Sequence, residues 1–263
     1  MPQPKGNESS SLLRVDQLTV QFGGILALKS VSTEVRSGEI RGIIGPNGAG
    51  KTTFFNAVTG FVPLKAGKIF FADEDITHLK SHEIAEKGII RSFQKRGTIA
   101  NLTALENVLT GCHRLMRDVS LADICFRSRR FRDTEGEGIR MAQAALEAVG
   151  VPGVAHHRGS ELPFGQQTLV EIARALVSKP TLLLLDEPAA GLSTKEREHL
   201  MEILTSLPAQ HGVTLIITDH IIDFVMEICQ KLTVLNFGEK LEEGDASYIR
   251  NHPGVLEAYF GRG

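Results

Sequence analysis

A chain of 263 residues is long enough to bury one large core, and 42% hydrophobic with 23% charged residues is ordinary globular composition. A net charge of −2 gives no overall field to draw it to nucleic acid or anionic lipid, and no apolar run approaches the roughly 18 residues that cross a bilayer. Cys112, Cys125 and Cys229 lack metal-ligand spacing and, with no apolar signal-peptide core in "MPQPKGNESSS", read as reduced cytosolic thiols.

Residues 1–10 are polar and read as a flexible tail. "LLRVDQLTVQF" and "VSTEVRSG" alternate as antiparallel strands do. "EIRGIIG" is a short apolar strand entering a glycine-rich turn, and "KTTFFNAVTG" predicts a helix closed by Gly60. "GKIFFADEDI" predicts one further strand, "SHEIAEKG" a short helix with Gly88 beyond its end, and "IIRSF" another strand. Between about residues 98 and 165 the pattern turns helical. Thr103 and Glu106 form a capping box opening "ALENVLTGCHRL", and "IRMAQAALEAVG" is an amphipathic helix stopped by Gly150.

The strand "TLLLLD", the helix "TKEREHLMEILTSL", the strand "VTLIIT", the helix "IIDFVMEICQ" and the strand "LTVLNFG" follow. Strands alternating with helices imply a mostly parallel sheet covered on both faces. The division this predicts is an α/β core with an antiparallel β subdomain over 11–97 and 180–240, a helical subdomain over 98–179, and a C-terminal segment over 241–263.

"GPNGAGKT" fits the phosphate-loop pattern G-x-x-x-x-G-K-[ST] at every fixed position. Gly45, Pro46, Asn47, Gly48, Ala49 and Gly50 would form a loop whose backbone N–H groups, Pro46 excepted, curl around phosphates, because glycine avoids the Cβ clashes of so tight a turn. Lys51 would reach the β- and γ-phosphates and Thr52 would bind Mg²⁺, with Thr53 at the start of the helix whose positive end faces the anion. "LLLLDEP" reads as a strand buried on both faces. It would deliver Asp186 to hold Mg²⁺ through water and Glu187 to polarise an attacking water.

"GPNGAGKTT", Gln94 in "RSFQ", "LPFGQQ", "LLLLDEP", "AGLS" and His220 occur in the order found in ATPase subunits of ABC transporters, which the chain resembles over nearly its whole length. "GPNGAGKTTFFNAVTGF", "DEPAAGLS" and "IRNHPGVLEAYFG" resemble the class that imports branched-chain (hydrophobic) amino acids; urea/amide or aromatic-acid importers are the nearest alternatives, and a soluble non-transport ABC ATPase a more distant one. The resemblance implies a RecA-like P-loop core that binds Mg-ATP between two head-to-tail subunits. It implies that Phe22 stacks on adenine, Gln94 binds Mg²⁺ or the attacking water, and His220 hydrogen-bonds the γ-phosphate. Leu162, Pro163, Phe164, Gly165 and Gln166 would form the signature lent across the dimer. The partners implied are transmembrane permease subunits, a second ATPase subunit (a heterodimer, with a homodimer as the alternative) and, indirectly, a periplasmic or extracellular substrate-binding protein. The implied location is the cytoplasmic face of a bacterial or archaeal cell membrane, with no nucleic-acid partner.

Three departures from the family pattern stand out. Pro163 has neither the usual signature hydroxyl nor an N–H. Ser193 stands where Asp or Asn is commoner and, with Glu196, spells a capping box. Ile221 follows His220 where an acid is frequent, and Asp219 precedes it. The basic run "RLMRDVSLADICFRSRRFRD" reads as a solvated helical face, and His156-His157 as a loop without a third ligand.

Overall fold

The computed structural model describes residues 11–92, 98–112, 120, 123 and 128–260. β1 (Ser11–Phe22) and β2 (Ile25–Arg36) form the expected antiparallel pair, with the inward residues Leu13, Val15, Leu18 and Val20 fully buried. The strand expected over "GKIFFADEDI" is instead a hairpin, β4 (Ala66–Phe71) and β5 (Glu74–Asp75), turning at Ala72 and Asp73 with φ of 48° and 64°. A two-residue turn with left-handed φ at both positions usually announces itself with Asn or Gly, and Ala-Asp does not. These strands make a four-stranded sheet in the order β2-β1-β4-β5.

The second sheet has six strands in the order β10-β9-β3-β8-β7-β6. They are β3 (Ile40–Ile44), β6 (Ile89–Arg91), β7 (Leu182–Asp186), β8 (Thr214–Thr218), β9 (Lys231–Asn236) and β10 (Glu239–Gly244). All neighbours are parallel except β10, antiparallel to β9. β3, β7 and β8 are buried at every position, as near-continuous apolar runs require in a sheet covered on both faces. Leu183 and Leu185 of β7 enter one hydrophobic cluster and Leu182 and Leu184 the other, following the two-residue period of the strand.

One cluster fills the space between the two sheets, with α1 (Lys51–Val58) and α2 (Ser81–Glu86). Phe54 and Phe55 of α1 are fully buried there, each contributing about 1.5–3 kcal/mol by leaving water. On the other face lie α3 (Ala104–Leu109), α4 (Arg129–Ala148), α5 (Phe164–Leu176), α6 (Thr194–His211) and α7 (Ile222–Ile228). The Thr103–Glu106 capping box forms as expected. α4 starts earlier than its amphipathic stretch because Ser128 Oγ accepts from Phe131 N–H, and α6 runs on through Pro208 to His211.

Val108, Leu146 and Val170 of α3, α4 and α5 share a single cluster with Leu183 and Leu185, so the helical stretch is packed continuously onto the sheet. β10, α8 (Ala246–Asn251) and α9 (Pro253–Phe260) have no counterpart in the expected elements. The boundary drawn at residue 240 falls inside β10, whose polar "EKLEEG" becomes a strand only because it closes the sheet edge beside β9. Cys112 and Cys229 are buried and unpaired; Cys125 and most of the basic run lie outside the described residues. Arg129 and Arg130 at the start of α4 are exposed, Arg129 at 3.9 Å from Asp133, which is also exposed. Among the described residues no helix is long and apolar enough to cross a membrane.

Candidate nucleotide-binding and catalytic site

Parallel pairing brings the carboxyl ends of β3, β7 and β8 to one edge of the sheet, with Gly42 beside Ile217 and Asp186 beside Thr218. β3 runs into the phosphate loop, where Gly45, Gly48 and Gly50 have φ of 153°, 79° and 106°. A Cβ on Gly45 would lie 2.2 Å from the Leu235 carbonyl oxygen, and one on Gly50 2.9 Å from that of Ala27. Both obstacles are backbone, so the loop closes this tightly only with glycine. α1 begins at once, with no side chain capping its first turn and no acid in it, which leaves the positive helix end open to an anion. Lys51 is largely buried and donates to the carbonyls of Gly45 (2.6 Å) and Pro46 (3.1 Å). Burial pulls its ammonium pKa below the ordinary lysine value, opposed by the Glu187 and Asp186 carboxylates.

Asp186 is buried with both carboxylate oxygens engaged. Oδ1 accepts from Thr218 Oγ1 at 2.9 Å and Oδ2 from Arg91 Nη2 at 2.6 Å. The other arm of Arg91 donates to Asn56 Oδ1 of α1 at 2.5 Å, so one guanidinium ties β6, β7 and the phosphate-loop helix. Sequence reasoning passed over Arg91, although it sits in the quoted "RSFQ". Only the pairing of β6 with β7, which sets Arg91 beside Leu184, brings it to Asp186.

Glu187 has a left-handed backbone (φ 53°), a conformation costing about 1–3 kcal/mol in a non-glycine residue and often found at functional sites. Its N–H donates to Thr218 O at 2.7 Å, and the residue borders the same cleft of about 820 Å³ as Lys51, Thr52 and Thr53. His220 Nδ1 lies 3.9 Å from Glu187 Oε2 and 3.7 Å from Asp219 Oδ1. Asp219 is buried. Its carboxylate accepts from the N–H groups of Ala189 (2.9 Å) and Ile221 (2.9 Å), clamping the loops after β7 and β8 to each other. Burial raises its pKa while those amides lower it.

Asp219→Ala strands two backbone donors, each worth about 1–3 kcal/mol if left unsatisfied. The expected result is a melting temperature lower by about 5 °C or more and ATP turnover down at least tenfold as Glu187 and His220 lose their frame. Thermal denaturation and phosphate release check it; an unchanged melting temperature would remove Asp219 from this role.

The residues expected to form the signature lie at the start of α5. Leu162 is buried, Pro163 is the N-cap, and the ring of Phe164 packs on Gly191. Gly165 is buried against Glu196, whose Oε1 would lie 2.5 Å from an added Cβ, and Gln166 follows in the first turn. Phe164 borders a small cavity of about 70 Å³ that Asp186 and Glu187 also line. Ser193 makes its capping box with Glu196, as the spacing predicts. Phe22 ends β1 half-exposed, paired with Ile25. Gln94 lies outside the described residues.

A glycine cradle opening a helix, beside acids delivered by neighbouring parallel strands, is the architecture of a P-loop nucleotide hydrolase. The ABC transporter family matches residues 28–190. The high-affinity branched-chain amino acid transport ATP-binding protein BraF of Pseudomonas aeruginosa is 40% identical over 253 residues, 96% of this chain and 99% of BraF. The ADP conformation of MJ1267, an ATP-binding cassette of an ABC transporter, superposes with a TM-score of 0.84 at 32% identity, covering 96% of this chain and 100% of that one. A dimeric post-hydrolysis state of the cassette MJ0796, bound to ADP and Pi, gives 0.73 at 27% identity over 89% and 98% of the two chains. The chain belongs to the ABC transporter family and is an ATP-binding, ATP-hydrolysing subunit of a transporter complex.

Proposed function

We propose that this chain energises inward transport of branched-chain or other hydrophobic amino acids, as a peripheral subunit on the cytoplasmic face of a cell membrane. The observation that carries this reading is the 40% identity to BraF over nearly the full length of both chains. Transmembrane permease subunits would dock in the groove of about 770 Å³ bordered by Asn56, Phe61, Arg91 and Arg174, beside the segment that leads to Gln94. Arg91 joins that groove to Asp186. A second ATPase subunit would complete each ATP site with its signature, as the dimer of MJ0796 suggests, and a periplasmic or extracellular binding protein would deliver the substrate.

In this reading the phosphate-loop N–H groups and Lys51 hold the β- and γ-phosphates and draw off the charge that develops there. Phe22 stacks on the adenine. Glu187 orients and polarises a water for in-line attack on the γ-phosphorus; the bond to the β–γ bridging oxygen breaks, releasing ADP and phosphate. His220, within 3.9 Å of Glu187, hydrogen-bonds the γ-phosphate.

The open helix end suits phosphate, and the Thr52 hydroxyl, which borders the same cleft as Glu187, is the kind of oxygen donor that a hard cation carried with phosphate takes. Thr52, Gln94 and, through water, Asp186 would hold Mg²⁺, which when bound neutralises charge on the β- and γ-phosphate oxygens.

The test is reconstitution. Permease and binding-protein subunits that co-purify with this chain should give ATP-dependent uptake of leucine, isoleucine or valine in vesicles. Uptake restricted to urea or an aromatic acid would overturn the substrate class.

A further inference from the structure

Asn236 and Glu239 pair across the β9–β10 hairpin, so its loop is two residues, Phe237 (φ 46°) and Gly238 (φ 81°). Left-handed φ at both positions is the type I′ turn, for which Asn-Gly is the favoured pair and a bulky first residue is strained. The tip is held in place. Gly238 N–H donates to the Ala49 carbonyl of the phosphate loop (3.1 Å) and its own carbonyl accepts from Lys29 N–H (2.7 Å). A Cβ on Gly238 would stand 2.7 Å from the Ala27 carbonyl oxygen.

Phe237 is 78% exposed, so burial within this chain does not offset the strain of placing it there. It borders the cleft of the phosphate loop together with two more exposed apolar residues, Ile25 (73%) and Leu26 (38%). Backbone donors on one part of a cleft and exposed apolar side chains on another match a ligand with phosphates at one end and a flat ring at the other.

We propose that Phe237 is a further nucleotide-contacting residue, its ring packing with Ile25 and Leu26 against the base and ribose of the nucleotide held by the phosphate loop. The proposal rests on the nucleotide-binding reading of that loop and adds to the role given to Phe22. It accounts for a strained, exposed aromatic where the turn itself favours asparagine.

The sequence contains no tryptophan, so Phe237→Trp supplies a single tryptophan whose emission can be excited apart from that of the tyrosines. ATP and ADP should change its emission with the dissociation constants that calorimetry gives, whereas inorganic tripolyphosphate, which has no base, should bind without that change. Phe237→Asn suits the turn. It should keep or raise the melting temperature and leave tripolyphosphate affinity unchanged, while weakening ATP and ADP roughly five- to fiftyfold. Wild-type ATP affinity in Phe237→Asn overturns the proposal. So does an emission change equal for ATP and tripolyphosphate, or a variant defective only in ATP-driven dimerisation, which would assign the ring to the contact between subunits. Failure of the unaltered chain to bind ATP is a distinct result and would overturn the nucleotide-binding reading as well.

Discussion

Glu187→Gln is expected to bind ATP normally and to lose turnover by about a hundredfold or more, the usual scale for removing a positioned general base. The amide keeps the shape of the carboxylate and the backbone bond to Thr218 O at 2.7 Å, so the loop and the cleft beside Lys51 should stand. What it removes is the negative charge proposed to polarise water, and an ATP-loaded closed dimer should accumulate. Lys51→Ala should do the opposite and act on binding. The ammonium now satisfied by the Gly45 and Pro46 carbonyls is the group that would turn to phosphate. A hydrogen bond to a charged group is worth about 1.5–3 kcal/mol, roughly ten- to more than a hundredfold in affinity. Calorimetric ATP binding and phosphate release, measured on both variants, separate the two roles. Normal phosphate release by Glu187→Gln would remove that residue from the chemistry and reopen the assignment of "LLLLDEP".

In an assembled transporter, the two ATP sites are expected to be unequal if the second ATPase subunit carries a fuller signature. Pro163 caps α5 without a hydroxyl or an N–H to offer across the interface, and Gly165, in the first turn, packs on Glu196. The loss of one hydrogen bond to a charged phosphate, about 1.5–3 kcal/mol, is offset only in part by the remaining donors at the helix start. The site made from this chain's phosphate loop and the partner's signature should then be the faster one. Glu187→Gln here should cost more transport than the equivalent change in the partner. Equal losses, or full activity of a homodimer of this chain, would sink the asymmetric arrangement.

Much of the local geometry of the candidate site was legible because its residues are contiguous. A glycine-rich turn followed by Lys-Thr states its own backbone geometry, and φ of 153°, 79° and 106° at Gly45, Gly48 and Gly50 is what those residues permit. Four leucines ending in Asp-Glu predict a strand buried on both faces, and the Thr103–Glu106 and Ser193–Glu196 boxes predict helix starts from spacing alone. These features depend on residues within a few positions of one another.

The support of the site was not legible in that way. Arg91 meets Asp186 only because β6 lies in parallel register beside β7, 95 residues further along the chain. The sequence leaves open whether Asp219, just before His220, substitutes for the acid missing after it; packing turns its carboxylate toward the amides of Ala189 and Ile221. β10 is polar in sequence and becomes a strand because β9 offers it an unpaired edge. The turn at Phe237 reaches the phosphate loop because β9 and β3 are sheet neighbours, so that Gly238 meets Ala49 across nearly two hundred residues. The sequence by itself determined the phosphate loop, the central strands and the helix caps, since local backbone preference and hydrophobic period suffice for each. Tertiary structure decided which side chains complete the carboxylates and border the cleft, because register and close packing, which no short window of sequence contains, set those distances.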